Sequence, residues 1–127
     1  MKIKLTSVFV NNQEKALEVY TAILGFVKKN DIPLGEYRWL TVVSPEGPGD
    51  IELLLEPNDN PAAKAYQQAL HEQSIPLASF AVIDIEHEHQ RLRKLGVHFA
   101  VGPTAAGSTT IAMFDDTCGN LIQIYQE

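Results

Sequence analysis

Cysteine is almost absent. A single one, Cys118, stands in 127 residues, so no internal disulfide can form and a reducing cytoplasm is the expected location. Basic residues are also scarce. Ten Lys and Arg against sixteen Asp and Glu leave a formal net charge of −6. That balance excludes a general nucleic-acid binder, which needs a basic surface, and disfavours docking on anionic membranes. No apolar run approaches the length of a membrane span, and the opening MKIKLTSVFV is too short and too alternating for a secretion signal. There is no low-complexity segment, no long linker, no glycine loop suited to nucleotide phosphates and no nucleophile elbow. HEHQR starts like a zinc-protease helix, but Arg91 stands where the second histidine belongs. His87 and His89 are two apart and share no helix face, and His71 and His98 lie in a helix and an edge strand with no catalytic company. Cys118, beside Asp115 and Asp116, sits where thiolate is disfavoured and is read as a turn residue.

What is present is an ordinary apolar content and a regular pattern. KLTSVFV alternates and predicts a strand over Lys2–Val10. Asn11 or Asn12 caps a helix whose apolar face is Ala16, Leu17, Tyr20, Ile23 and Leu24, ended by Gly25. FVKKND, EYRWLTVV and IELLLE follow as strands, with PLG and SPEGPGD as the turns between them. NPAAKAYQQALHE, about 60–73, is a linking helix. Then come the strand PLASFAVID, the helix IEHEHQRLRKL ended by Gly96, the strand VHFAV, the loop GPTAAG, the strand STTIAMF, the turn DDTCGN and the strand LIQIYQ.

Strand, helix and three strands thus occur twice. Gly25 and Gly96 are 71 apart, and IELLLE and LIQIYQ start 70 apart, which points to an internal duplication. The expected fold is α+β. One domain over 1–127 holds two βαβββ modules, about 1–57 and 76–127, each a twisted mixed sheet with its helix outside. Side by side, two such sheets form an open trough of the kind that holds small molecules.

The pattern, with KALEVYTAILGF after the first strand, IELLLEP in the fourth and FDDTCGNLIQI at the end, resembles the vicinal oxygen chelate superfamily, which includes glyoxalase I, the bleomycin-resistance proteins and the extradiol dioxygenases. The resemblance spans nearly the whole chain. It implies a small organic ligand in the trough, and a symmetric homodimer. In the metal enzymes of that group a divalent cation takes four ligands, one each from strands one, four, five and eight. Carried onto this chain, the slots fall at Leu5, Glu52, Ala78 or Ser79, and Gln123. Only Glu52 and Gln123 are useful donors, two of four, and a zinc or nickel site wants three or four. A tightly held transition metal is therefore not expected, while a hard divalent ion completed by water or substrate stays open.

The candidate site residues follow. Glu52 is either a solvated acid or a catalytic base. Gln123, an amide in an apolar strand, is either a satisfied core residue or a ligand contact. Of Arg38 and Trp39, one faces the trough and the other the helix, so an anion contact and an aromatic wall are alternatives to a rim Arg and a core Trp. Phe9, Phe80 and Tyr125 share the trough-facing parity if the slots hold, or else pack between layers. Two functions fit. One is sequestration of an apolar or aromatic compound, as in bleomycin resistance. The other is a divalent-metal-dependent lyase, isomerase or dioxygenase using Glu52 with Gln123. If Glu52 is an uncompensated acid in an apolar setting, Glu52→Gln should leave stability unchanged or raise it.

Overall fold

The computed structural model describes all of residues 1–127. The chain divides into two compact units, Met1–Lys64 and Ala65–Glu127. No helix is long and apolar enough to cross a membrane.

In the first unit, β1 (Leu5–Val10) is followed by α1 (Gln13–Glu18), β2 (Val27–Leu34), β3 (Tyr37–Val43) and β4 (Glu52–Pro57). The sheet order is β1-β4-β3-β2, with β1 parallel to β4 and the other pairs antiparallel. Asn12 caps α1, its side chain accepting from Lys15 N–H at 3.0 Å. The helix does not stay α-helical to Gly25, as its spacing suggests. It widens into a π-helical stretch over Val19–Ile23. Tyr20 and Ala16 are fully buried there, against a sheet face made of Val8, Val10, Leu40, Val42 and Leu55. Gln13 fastens the helix to the sheet, donating to the Arg38 and Leu55 carbonyls and accepting from Arg38 N–H.

The second unit repeats this topology. After α2 (Pro61–Glu72), which begins in the first unit, come β5 (Ala78–Val82), α3 (Ile85–Lys94), β6 (Phe99–Ala106), β7 (Thr109–Asp115) and β8 (Leu121–Gln126), in the sheet order β5-β8-β7-β6. Asp84 caps α3 by accepting from His87 N–H. Ile85 and Leu92 of α3 are buried, as are Ala112, Phe114, Ile122 and Ile124 on the sheet. Gly25 and Gly96, which end the two equivalent helices, share a φ of 89°. The duplication legible in the sequence is thus repeated in backbone conformation.

Several boundaries differ from the sequence expectation. β1 starts at Leu5 rather than Lys2, although the Lys4 carbonyl still accepts from Glu52 N–H. The turn expected at PLG narrows to Gly35 and Glu36, since Ile32, Pro33 and Leu34 continue β2. Likewise the loop expected at GPTAAG narrows to Gly107 and Ser108, since Gly102 to Ala106 continue β6. Both strands are sheet edges, where proline's missing N–H costs no ladder bond on the open side.

Candidate functional site

Each sheet has one face against its own helix and one face turned away from it. Register and alternation decide which residues share a face. Leu5 pairs with Glu52, Phe9 with Glu56, Thr41 with Leu54, Asn30 with Thr41, and Ile32 with Trp39. Glu52, Leu5, Ser7, Phe9, Leu54, Glu56, Trp39, Thr41, Asn30 and Ile32 therefore share the face turned away from α1. Trp39 and Phe9 are half-buried.

Glu52 is held by groups on this face. Its Oε1 accepts from the Thr41 hydroxyl at 2.7 Å and from Asn30 Nδ2 at 2.8 Å. Thr41 is fully buried, and its Oγ1 in turn accepts from the Asn30 backbone N–H. Oε2 receives no hydrogen bond. The Lys29 ammonium lies 3.9 Å from it and donates instead to the Gly49 carbonyl at 2.6 Å. The Thr41 hydrogen bond, followed by that of Asn30 and the charges of Lys29 and Lys4, holds the Glu52 carboxyl below the usual glutamate range, against the opposing effect of burial. Glu52 is an ionised, oriented acceptor and a weaker base than an ordinary glutamate.

Arg38 lies on the other face, beside α1. It makes a bidentate pair with Asp31, at 2.9 and 2.7 Å, and a further contact with Glu14. These two carboxylates raise the guanidinium well above its ordinary value, and Arg38 in turn holds Asp31 low. Of the Arg38 and Trp39 alternatives, Trp39 takes the Glu52 face, and the arginine ties helix to sheet.

In the second unit, Ser79 pairs with Gln123, Met113 with Gln123, and Ile111 with Tyr125. Gln123 Nε2 donates to Ser79 Oγ at 2.8 Å. The strand-five slot beside Gln123 is therefore Ser79, as Leu5 is the slot beside Glu52. Phe80 pairs with Ile124 and has the opposite parity. The expectation that Phe80 shares a face with Gln123 and Tyr125 is thus corrected, because the slot is Ser79 and not Ala78. Tyr125 stays on the Gln123 face, 36% exposed.

Asn30 and Thr41 escaped sequence reasoning. The signal for Thr41 was available: a lone hydroxyl inside the apolar run WLTVV poses the same question as a lone amide inside LIQIY. Asn30 gave no such signal, since it stands in the polar stretch KKND.

The remaining polar residues of the second unit have structural work. Asp116 Oδ1 accepts from Cys118 N–H and Asn120 N–H, and its Oδ2 accepts from Asn120 Nδ2. Gln67 of α2 donates to the Cys118 carbonyl and to Asn120 Oδ1. His71 meets Asp115 at 2.9 Å, and His89 packs edge-on against Phe99. Cys118 is fully buried in this turn. A separate open depression of about 480 Å³, lined by His89, Arg93, His98 and Phe99 among others, lies where α3 runs into β6.

The sequence profile of the Glyoxalase/Bleomycin resistance protein/Dioxygenase superfamily matches residues 2–124. The chain belongs to this superfamily. Within it, the chain is 54% identical, over the full length of both, to the uncharacterized protein YurT of Bacillus subtilis (strain 168). Among solved structures it is similar to TnmS3, an antibiotic binding protein from Streptomyces sp. CB03234. That match has 28% identity, covers 99% of this chain and 95% of the other, and has a TM-score of 0.76. It is also similar to a superfamily member from Sphaerobacter thermophilus DSM 20745, with 25% identity, 100% and 98% coverage and a TM-score of 0.78.

Members of the superfamily that use a divalent metal need a donor set. Here the four slots hold a hydrocarbon (Leu5), a carboxylate (Glu52), a hydroxyl (Ser79) and an amide (Gln123). One carboxylate oxygen is already spent on Thr41 and Asn30. Nor do three or more His, Cys, Asp or Glu side chains converge anywhere on the chain. This set does not fit a zinc, nickel or iron centre.

Proposed function

We propose that this chain binds a small, largely apolar or aromatic organic molecule on the sheet face that carries Glu52. In this reading two copies pair in the cytoplasm. Glu52, Trp39 and Phe9 line that face, Gln123 and Tyr125 share the equivalent face of the second unit, and no tightly held transition metal takes part. The observation that carries the reading is the make-up of the Glu52 face: Leu5, Leu54, Phe9, Trp39 and Ile32 beside a carboxylate oriented by Thr41 and Asn30, with Glu56 next to Phe9, a mix of apolar surface and a few polar groups of the kind that binds small organic molecules. The similarity to an antibiotic-binding protein supports binding rather than turnover. The lowered Glu52 pKa supports it too, because a strong general base would be tuned the other way.

A second reading has its own observation. Glu52 Oε2 accepts no hydrogen bond, so a hard divalent ion completed by water and substrate could use it, with Gln123 as a neutral ligand, in a lyase, isomerase or dioxygenase.

Trp39 is the only tryptophan in the chain, which gives the test a built-in reporter. A thermal-shift screen of aromatic natural products and antibiotics should yield compounds that raise the melting temperature and also change Trp39 emission. Binding should survive dialysis against EDTA. Hits that stabilise the protein without touching Trp39 emission place the ligand elsewhere. Binding lost to EDTA and restored by Mg²⁺ or Mn²⁺ selects the second reading.

A further inference from the structure

A buried hydroxyl has few reasons to sit in the middle of an apolar strand. Thr41 is flanked by Leu40 and Val42, and all three are fully buried. Valine would fill the same space without a polar group. The threonine donates to Glu52 Oε1 and accepts from Asn30, so Asn30, Thr41 and Glu52 form a relay fixed at both ends by strand pairing. The relay occupies one carboxylate oxygen completely and leaves the other without a donor. The one cation within 4.0 Å of that second oxygen is Lys29, held 3.9 Å off by its own bond to the Gly49 carbonyl. Around it lie Leu5, Leu54, Phe9 and Trp39 on the same side, with the carboxylate of Glu56 further along β4 beside Phe9.

An anion on an apolar face, with one oxygen satisfied and one not, discriminates among ligands. A neutral hydrocarbon laid across it strips water from Oε2 and returns nothing. An anion is repelled. A group that donates a hydrogen bond, above all a cationic nitrogen, gains a charge-assisted bond in a partly desolvated place.

Resting on the binding role proposed above, we infer that Glu52 is the anchor for a protonated nitrogen of an aromatic or apolar ligand, and that Thr41 and Asn30 are positioning residues that fix which oxygen it presents. The ligand class is thus an organic cation with a planar or apolar body. The aromatic residues hold the body and Glu52 holds the charged nitrogen.

Three acridines of nearly equal shape separate the possibilities by calorimetry at neutral pH: cationic 9-aminoacridine, neutral acridine and anionic acridine-9-carboxylate. The cation should bind at least about tenfold more tightly than the neutral compound, the value of one hydrogen bond to a charged group. Glu52→Gln should erase that ratio by weakening binding of the cation, a loss of at least the roughly 1.4 kcal/mol that a factor of ten represents. Thr41→Val should reduce the ratio and Thr41→Ser should restore it, which a purely structural threonine would not do. Asn30→Ala gives a second route to the same loss if Thr41→Val folds poorly. Equal binding of all three compounds, or a cation preference that survives Glu52→Gln, overturns the anchor and leaves the binding role standing. If none of the three binds, the binding role fails and the anchor falls with it.

Discussion

A carboxylate on a largely apolar face must be compensated or surrender its charge. The compensation at Glu52 decides how its variants behave. Read from the sequence alone, Glu52 looks uncompensated, and its loss should be harmless or stabilising. The structure reverses this, because Thr41, Asn30 and Lys29 favour the charged form. Glu52→Gln should lower the unfolding free energy by about 1 kcal/mol, the usual net value of a hydrogen bond, measured by urea denaturation at pH 7. Gln123→Leu should behave differently. Gln123 donates to the exposed Ser79 hydroxyl, which can turn to water, so the change should stay within about 0.5 kcal/mol of the parent, as at ordinary surface sites. The pH dependence has a definite sign. Glu52 and Asp31 are both depressed in the folded state, Glu52 chiefly by Thr41 and Asp31 chiefly by Arg38. Their contribution is present above the unfolded carboxylate range, roughly pH 4, and is lost as pH falls through the lower folded values. The urea midpoint should therefore hold between pH 7 and 5 and fall below about pH 4. Thr41→Val should flatten that acid limb. At this scale the sequence showed which residues were unusual, as with Gln123 and Glu52. It did not show their partners, because Asn30 and Thr41 reach Glu52 through cross-strand register, which spacing along the chain does not encode.

Secondary-structure elements were legible where alternation or capping was local. LIQIYQ coincides with β8 residue for residue, and the Gly25 and Gly96 stops fall where expected. The errors lie on edge strands, where Pro33 and Pro103 look like turn formers but need no partner on the open side. The parity of Phe80 was misjudged because it hung on one undecided residue, Ala78 or Ser79, and a one-residue slip reverses a whole strand. The glycines yield a graded prediction. Gly25 and Gly96 have positive φ and open space where a Cβ would stand, so alanine at either should cost only the conformational penalty, about 1 kcal/mol. Gly119 has φ of 104°, and a Cβ there would meet the Gln67 amide at 2.6 to 2.8 Å, while Gln67 itself holds the β7–β8 turn. Gly119→Ala should cost clearly more than either of the others. Combined with Gln67→Ala it should cost less than the sum of the two single changes, since both disrupt the same contact. Additive losses in thermal denaturation would show that the Gln67 side chain simply swings aside.

For the whole molecule, the order of elements and its repetition were enough to identify the superfamily, because they survive when individual site residues change. The metal slots that the resemblance implies are a different matter, because side-chain chemistry alone decides whether they can hold an ion. With Leu5, Glu52, Ser79 and Gln123 as the set, protein purified without a tag and dialysed should carry far less than one zinc, nickel or iron per chain by elemental analysis. A saturating Zn²⁺ addition should not reproduce the roughly 2.7 kcal/mol of stabilisation that a ligand at a hundred times its dissociation constant supplies. Assembly is the remaining property of the whole. At the closed end of the β2–β3 hairpin, Ile32, Leu34 and Tyr37 are 52%, 61% and 39% exposed. Register places all three on the face that carries Glu52. Scattered apolar side chains on a surface are ordinary, but three adjacent ones on a strand pair are costly to leave in water and are usually covered. A second copy offering the same hairpin would cover them with two-fold symmetry, the commonest solution among homo-oligomers. Light scattering at micromolar concentration should then give twice the chain mass of 14.1 kDa. The double variant Ile32→Lys with Leu34→Lys should give the single mass while keeping its circular dichroism spectrum, because neither side chain belongs to the buried core. A parent protein that is already monomeric under these conditions would rule the pairing out. A double variant that stays dimeric would move the interface to another part of the surface.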